Sequence, residues 1–138
     1  MKYLVDANVL SEPTKPAPVQ RVVDWLIENE ADLSVDPVIL GEIRFGIHLL
    51  PAGKRRRRLE QWFEHGVTRI ACVPMTADTG LRWARLLADL RAANRAMSVK
   101  DSLIAATALV HRLTVATRNT RDFRFSGAKV LDPFAGTE

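Results

Sequence analysis

Four carboxylates, far apart in the chain, have settings that could support chemistry: Asp6, Glu42, Asp101 and Asp122. Asp6 opens the triplet Asp6-Ala7-Asn8, directly after the mostly apolar run Tyr3 to Val5. Glu42 has Ile39, Ile43 and Phe45 as neighbours in a segment suited to burial. A carboxylate in such a place is costly unless it is paired or bound to a cation. Gly41 and Gly46 strip side-chain bulk from its flank, although each weakens a helix interior by about 1 kcal/mol relative to alanine. Gathered acids need a counter-charge. Arginine could supply it, but hard divalent cations prefer oxygen ligands, and Mg²⁺ is typically held by one or two carboxylates with water and substrate phosphate. Such a site beside a basic surface is the arrangement for phosphodiester hydrolysis.

Each acid also has a plainer explanation. Asp6-Ala7-Asn8 could make an Asx-type turn at a strand exit. Asp101 stands three residues after Ser98, in the form of a capping box, and acids are favoured near helix N-termini. Asp122 could cap the turn before Phe123. Competing chemistries are absent from the sequence. His48, His65 and His111 are isolated, no Cys/His cluster suggests zinc, and no glycine-rich phosphate loop is present.

The elements that must position these acids follow from periodicity. Lys2 to Val5 reads as a strand, and Pro13, Pro16 and Pro18 make the next stretch a loop. Val19 to Asn29 carries apolar residues at helical spacing. Ala31 to Val35 reads as a second strand. Asp36-Pro37 starts a helix bearing Ile39, Ile43, Ile47 and Leu50, which Pro51 and Gly53 stop. Lys54 to His65 is a third helix, with Leu59, Trp62 and Phe63 inward and Gly66 as terminator. Arg69 to Val73 is a strand that places Cys72 in the core. Thr76 caps a helix through about Ala93, with Leu81, Ala84, Leu87 and Arg91 in register. Ser98 caps a buried helix from Val99 to Arg112. Leu113 to Thr117 is a strand, Arg118 to Asp122 a loop, and Lys129 to Leu131 a last strand. Strands alternating with helices predict an α/β fold with a mainly parallel sheet covered on both faces. Ligands bind beyond the carboxyl ends of such strands. Asp6, Asn119 and Asp122 follow strand ends, and Asp101 and Glu42 lie in the early turns of helices, so all can converge on one edge.

The totals fit one domain spanning residues 1–138, with 47% hydrophobic residues. At that size roughly two-thirds of the unfolded chain's surface can be buried without a disulfide. The one cysteine suits a reducing compartment. No signal peptide is visible, and no apolar run approaches the roughly 20 residues that span a bilayer. The expectation is a soluble cytoplasmic protein. The formal charge is +4, and Lys54 to Arg58 reads KRRRR. Nucleic acid is the natural partner of such a surface, although a solvated helix face is the plainer reading of a lone charge run. Arg55, Arg56, Arg57 and Arg58, with Arg44 ranked below the run, are the candidates for holding a nucleic-acid backbone. Trp25, Trp62 and Trp83 read as packing residues.

DANVLSE at the start, Glu42 within EIRFG, and KDSLIAATALVHRLTVATRNTRDF near the end resemble PIN-domain ribonucleases, and more narrowly VapC-type toxins with their FitB-like branch. The resemblance covers essentially the whole chain, and the C-terminal block is its most specific part. It implies a PIN-like three-layer α/β sandwich with a mainly parallel central sheet. It implies an acidic pocket for Mg²⁺ or Mn²⁺ in which Asp6, Glu42 and Asp101 match the first three acids. The fourth place falls to Asp122, because Asn119, where many relatives have an acid, is neutral. Asn8 and Thr117, with Asn119, would orient the pocket. The resemblance further implies an RNA substrate, often tRNA or another structured RNA, a homodimer, and a VapB-like antitoxin that forms a larger assembly and binds operator DNA. The leading expectation is therefore a metal-dependent endoribonuclease toxin. The alternatives are a catalytically silent RNA- or protein-binding module on the same scaffold and a receiver-like phosphoacceptor domain.

Overall fold

Tyr3–Val5 forms the short central strand β1, with Leu4 and Val5 fully buried. Strands this short and apolar are usual where helices cover both faces. The computed structural model describes residues 1–135. The other strands are β2 (Leu33–Val35), β3 (Ala71–Cys72), β4 (Thr114–Ala116) and β5 (Val130–Leu131). All pair in parallel in the order β3-β2-β1-β4-β5. Strand order therefore reverses between β1 and β4, which pair Tyr3 with Thr114 and Val5 with Ala116. The carboxyl ends at such a reversal form the usual ligand crevice. This order differs from the 2-1-3-4-5 order of receiver-like folds, and that alternative is set aside.

Among the described residues six helices connect the strands: α1 (Ala7–Leu10), α2 (Gln20–Glu28), α3 (Pro37–His48), α4 (Lys54–His65), α5 (Ala77–Ala92) and α6 (Val99–His111). Local chemistry sets several boundaries. The Asp36 side chain accepts from the Ile39 N–H at 2.9 Å, with Pro37 in the first helical position. Ser98 accepts from the Asp101 N–H at 3.1 Å. Arg112 ends α6 in the left-handed conformation, an uncommon cap for a residue with a side chain. Ile39, Ile43 and Ile47 of α3 are buried, and so are Ile104, Ala105 and Ala108 of α6. These faces join Val5, Val35, Val115 and Phe123 in one core.

Two expectations fail. Cys72 is exposed, not part of the core, because β3 is a two-residue edge strand paired only with β2. On α5 the buried face is Thr79, Leu86 and Leu90, whereas Leu81 and Leu87 are exposed at 72% and 37%. The helix turns that face towards α6, where the Trp83 indole N–H donates to Ser102 Oγ at 2.9 Å. Apolar residues lie on two sides of α5, and packing against α6 chose between them. The region after β1 also holds more structure than a turn: α1 is followed by a 3-10 turn, Glu12–Thr14.

Candidate active site

Asp6 is the last residue before α1, and the strand carries it to the crevice between β1 and β4. Its backbone N–H donates to the Ala116 carbonyl at 2.9 Å, one step beyond the strand pairing. Asp6 is 3% exposed, and each of its side-chain oxygens accepts a hydrogen bond. Oδ1 accepts from the Ala7 N–H at 2.9 Å. Oδ2 accepts from the Thr117 hydroxyl at 2.9 Å and lies 3.4 Å from Asn8 Nδ2. Thr117 follows β4, so this hydroxyl ties the two strand ends across the reversal. The same Thr117 oxygen accepts from the Asn119 N–H at 3.1 Å, and Asn8 Oδ1 accepts from the Arg118 N–H at 3.1 Å. Asn8 and Thr117 thus fix the Asp6 carboxylate, while Asn119 enters through its backbone.

The other acids arrive from separate elements. Glu42 projects from α3, and its Oε2 accepts from Lys100 Nζ at 2.7 Å. Its second oxygen, Oε1, is buried without a partner among the described residues. Asp101, half-buried, stands in the first turn of α6. Asp122 is exposed on the 3-10 turn Thr120–Phe123. Burial pushes the Asp6 carboxyl above its ordinary range, against the Thr117 hydrogen bond, and the Glu42 charge pushes it further the same way. Burial also raises the Asp101 carboxyl; Ser98 and Lys100 oppose this, while the charges of Asp6 and Asp122 add to it. The four acids are therefore near enough to perturb one another in a chain: Glu42 with Asp6, Asp6 with Asp101, Asp101 with Asp122. Among the described residues no three His, Cys, Asp or Glu side chains already close around one point. Lys100 supplies the counter-charge instead. Burial disfavours its ammonium, but the Glu42 hydrogen bond and the surrounding acids outweigh that and hold its pKa above the usual range.

Glu42 and Asn8 line a cavity of about 370 Å³ with Ser11, Lys15, Gly46 and Arg55. A Cβ on Gly41 or Gly46 would meet nothing within 4 Å, so the space beside Glu42 is open. Of the basic candidates, Arg55 faces this cavity and Arg58 lines an adjoining hollow with Lys15 and Trp62. Arg56 is held by the Leu50 carbonyl at 3.3 Å and by Glu60 at 3.7 Å. Arg44 turns towards α4, where it meets Glu60 at 3.5 Å and lies over the Phe63 ring.

Residue-type reasoning passed over three groups. Lys100 could have been found, because a lysine in a helix's first turn opposes the helix dipole and needs a reason. Asp36, read only as a cap, is buried at the end of β2, where burial and then the Asp6 charge raise its carboxyl. Glu12 is buried beneath the following loop, where Oε2 accepts from the Val19 N–H at 2.9 Å and Oε1 forms an ion pair with Lys15 Nζ at 2.9 Å.

The PIN domain family model matches residues 3–127. A VapC ribonuclease from Sinorhizobium fredii is 31% identical over 95% of this chain and 96% of its own length. The toxin FitB from Neisseria gonorrhoeae is 32% identical over 95% and 97%. A solved structure of FitAB bound to a DNA fragment is 30% identical, with a TM-score of 0.91 over 99% of this chain and 98% of that one. With a family model that spans nine-tenths of the sequence and a crevice of strand-end acids in place, the chain belongs to the PIN-domain family.

Proposed function

We propose that this protein is a metal-dependent endoribonuclease, the toxin of a VapBC-type toxin–antitoxin pair, acting on phosphodiester bonds in RNA, with tRNA or another structured RNA as substrate. The observation that carries the reading is the buried Asp6 carboxylate at the strand reversal, tied by Thr117, with Glu42 and Asp101 in electrostatic reach. The names of the VapC and FitB relatives support it.

The donors suit Mg²⁺ or Mn²⁺: they are carboxylate oxygens only, and Glu42 Oε1 is buried without a partner. Asp6 and Asp101 would be the main ligands, with Glu42 and Asp122 completing the pocket directly or through water. An ion bound there supplies Lewis-acid polarisation of the phosphate and acidification of water. The protein's own part is positional. Thr117 and Asn8 hold Asp6 in one orientation. Burial keeps the acids in mutual repulsion, which a cation relieves. Arg55 and Arg58 lie along the hollows that lead from the pocket and would grip the RNA backbone, with Arg57 beside them on α4. Arg56 and Arg44 are partly committed to Glu60 and would contribute less.

The single-domain reading is supported by the one continuous core. An antitoxin and, through it, operator DNA are proposed as partners, with support from the FitAB structure on DNA. Exposed Phe45 on α3, Leu49 directly after it, and Leu81 on α5 offer apolar surface for an antitoxin and for a homodimer. No helix among the described residues is long and apolar enough to cross a membrane, which accords with a cytoplasmic setting.

The test is incubation of the purified protein with total RNA, with Mg²⁺ and with excess chelator. Discrete cleavage that the chelator stops, and that Asp101→Asn abolishes while circular dichroism is unchanged, is the expected result. Intact RNA under every condition, or cleavage by Asp101→Asn at the wild-type rate, would refute the assignment. Intact RNA with retained RNA binding would favour the silent binding module.

A further inference from the structure

The fold sets a cation among the acids. Lys100 Nζ donates to Glu42 Oε2 at 2.7 Å, joining the first turn of α6 to the middle of α3. Asp6 and Asp101 are within electrostatic reach of the same ammonium. A lysine in a helix's first turn faces the positive end of the helix dipole. Its place there is explained by the carboxylates around it, not by the helix. The Lys100 side chain is 45% exposed, so its head can leave for solvent without unpacking the core. The remaining Glu42 oxygen, Oε1, is buried and unpartnered, so Glu42 is only half satisfied by the lysine.

We propose that Lys100 is a tethered counter-ion of the acid cluster: a positioning residue that holds Glu42 when no divalent cation is present and competes with that cation for it. The inference rests on the metal-dependent reading above and goes further by naming the charge that the ion must compete against. The ammonium 2.7 Å from Glu42 Oε2 sets a positive charge beside any ion that takes the free Oε1, and opposes its binding. Loading therefore weakens the hold of Glu42 on Lys100, whose half-exposed head can turn to solvent. Loss of the lysine charge leaves a more negative hollow, which is less stable alone and binds divalent ions more tightly.

The experiment is calorimetric titration of Mn²⁺ alone into the metal-free chain, for wild type, Lys100→Met, Lys100→Gln and Lys100→Arg, with circular dichroism as the check on folding. Removing a unit charge from beside the ion should lower Kd by about tenfold or more in Lys100→Met and Lys100→Gln. Lys100→Arg keeps the charge and should stay within about threefold of wild type. A purely structural lysine would give the opposite trend, with weaker binding as the pocket loosens. Unchanged or weaker binding in both neutral variants, against measurable binding by wild type, overturns the inference and leaves the nuclease reading standing. Binding by the neutral variants alone supports both. No Mn²⁺ binding by any of the four proteins overturns both.

Discussion

Thr117→Val removes one hydroxyl at the point where β1 and β4 deliver their ends, with almost no change of shape. That hydroxyl donates to Asp6 Oδ2 at 2.9 Å and accepts from the Asn119 N–H at 3.1 Å. A hydrogen bond to a charged group contributes about 1.5–3 kcal/mol, and an amide left without its acceptor costs about 1 kcal/mol more. The expected loss is about 2.5–4 kcal/mol, a large part of a typical total of about 5–15 kcal/mol. For a chain of this length that is a fall in melting temperature of roughly 6–15 °C. The pH dependence follows from the charge. The Thr117 bond lowers the Asp6 carboxyl against the stronger upward push of burial. It favours the ionised form, so its contribution is present where folded Asp6 is ionised and is lost as pH falls through that raised pKa. Urea unfolding of both proteins from about pH 8 towards pH 4 should therefore show a stability gap that narrows with acid. In an Asp6→Asn background the same substitution should cost at least about 1 kcal/mol less, since the two side chains interact directly. A gap that is absent at neutral pH, or that stays constant down to pH 4, would refute the account of how the central acid is held.

Asp101→Asn should stabilise the metal-free protein by up to about 1 kcal/mol near neutral pH, after allowance for screening of a half-exposed group. Its folded pKa is raised above the ordinary 3.8, so the cost of its charge is full above that raised value, shrinks as pH falls through it, and is gone below 3.8. A variant no more stable than wild type in urea at pH 7 would contradict this. Arg55→Gln, Arg57→Gln and Arg58→Gln together should reduce the slope of log K against log salt for single-stranded RNA by about 2, at about 0.7 per lost phosphate contact. Arg56→Gln should change that slope little, because Glu60 and the Leu50 carbonyl already hold Arg56. Glu12→Ala should destabilise the fold by about 1.5–3 kcal/mol, because the loop to Val19 hangs on a charged acceptor. The Val19 N–H, then Lys15, hold the Glu12 carboxyl below the ordinary 4.5. Its contribution is thus present above pH 4.5 and lost as pH falls through the lowered value, which acid unfolding of both proteins would show.

The sequence determined the features that depend on near neighbours in the chain. Asp36-Pro37 and Ser98 start helices because a cap needs only a side-chain oxygen and a backbone N–H three residues on. The bounds of α4, from Lys54 to His65, follow from the glycines on either side. The alternation of strand and helix was sufficient to give a parallel sheet, and the positions of Asp6, Asn119 and Asp122 after strand ends then pointed to one edge. Tertiary structure decided whatever depended on a partner from elsewhere. The face of α5 was set by α6, since apolar residues on two sides leave helical periodicity ambiguous. Cys72 is exposed because its strand lies at the sheet edge, and local hydrophobicity carries no record of edge or centre. Above all, strand order made Thr117 the partner of Asp6 across 111 residues and placed Lys100 against Glu42 across 58. Charge is a property of a residue, but its pairing is a property of the packing, because Coulomb energy depends on distances that only the folded chain defines.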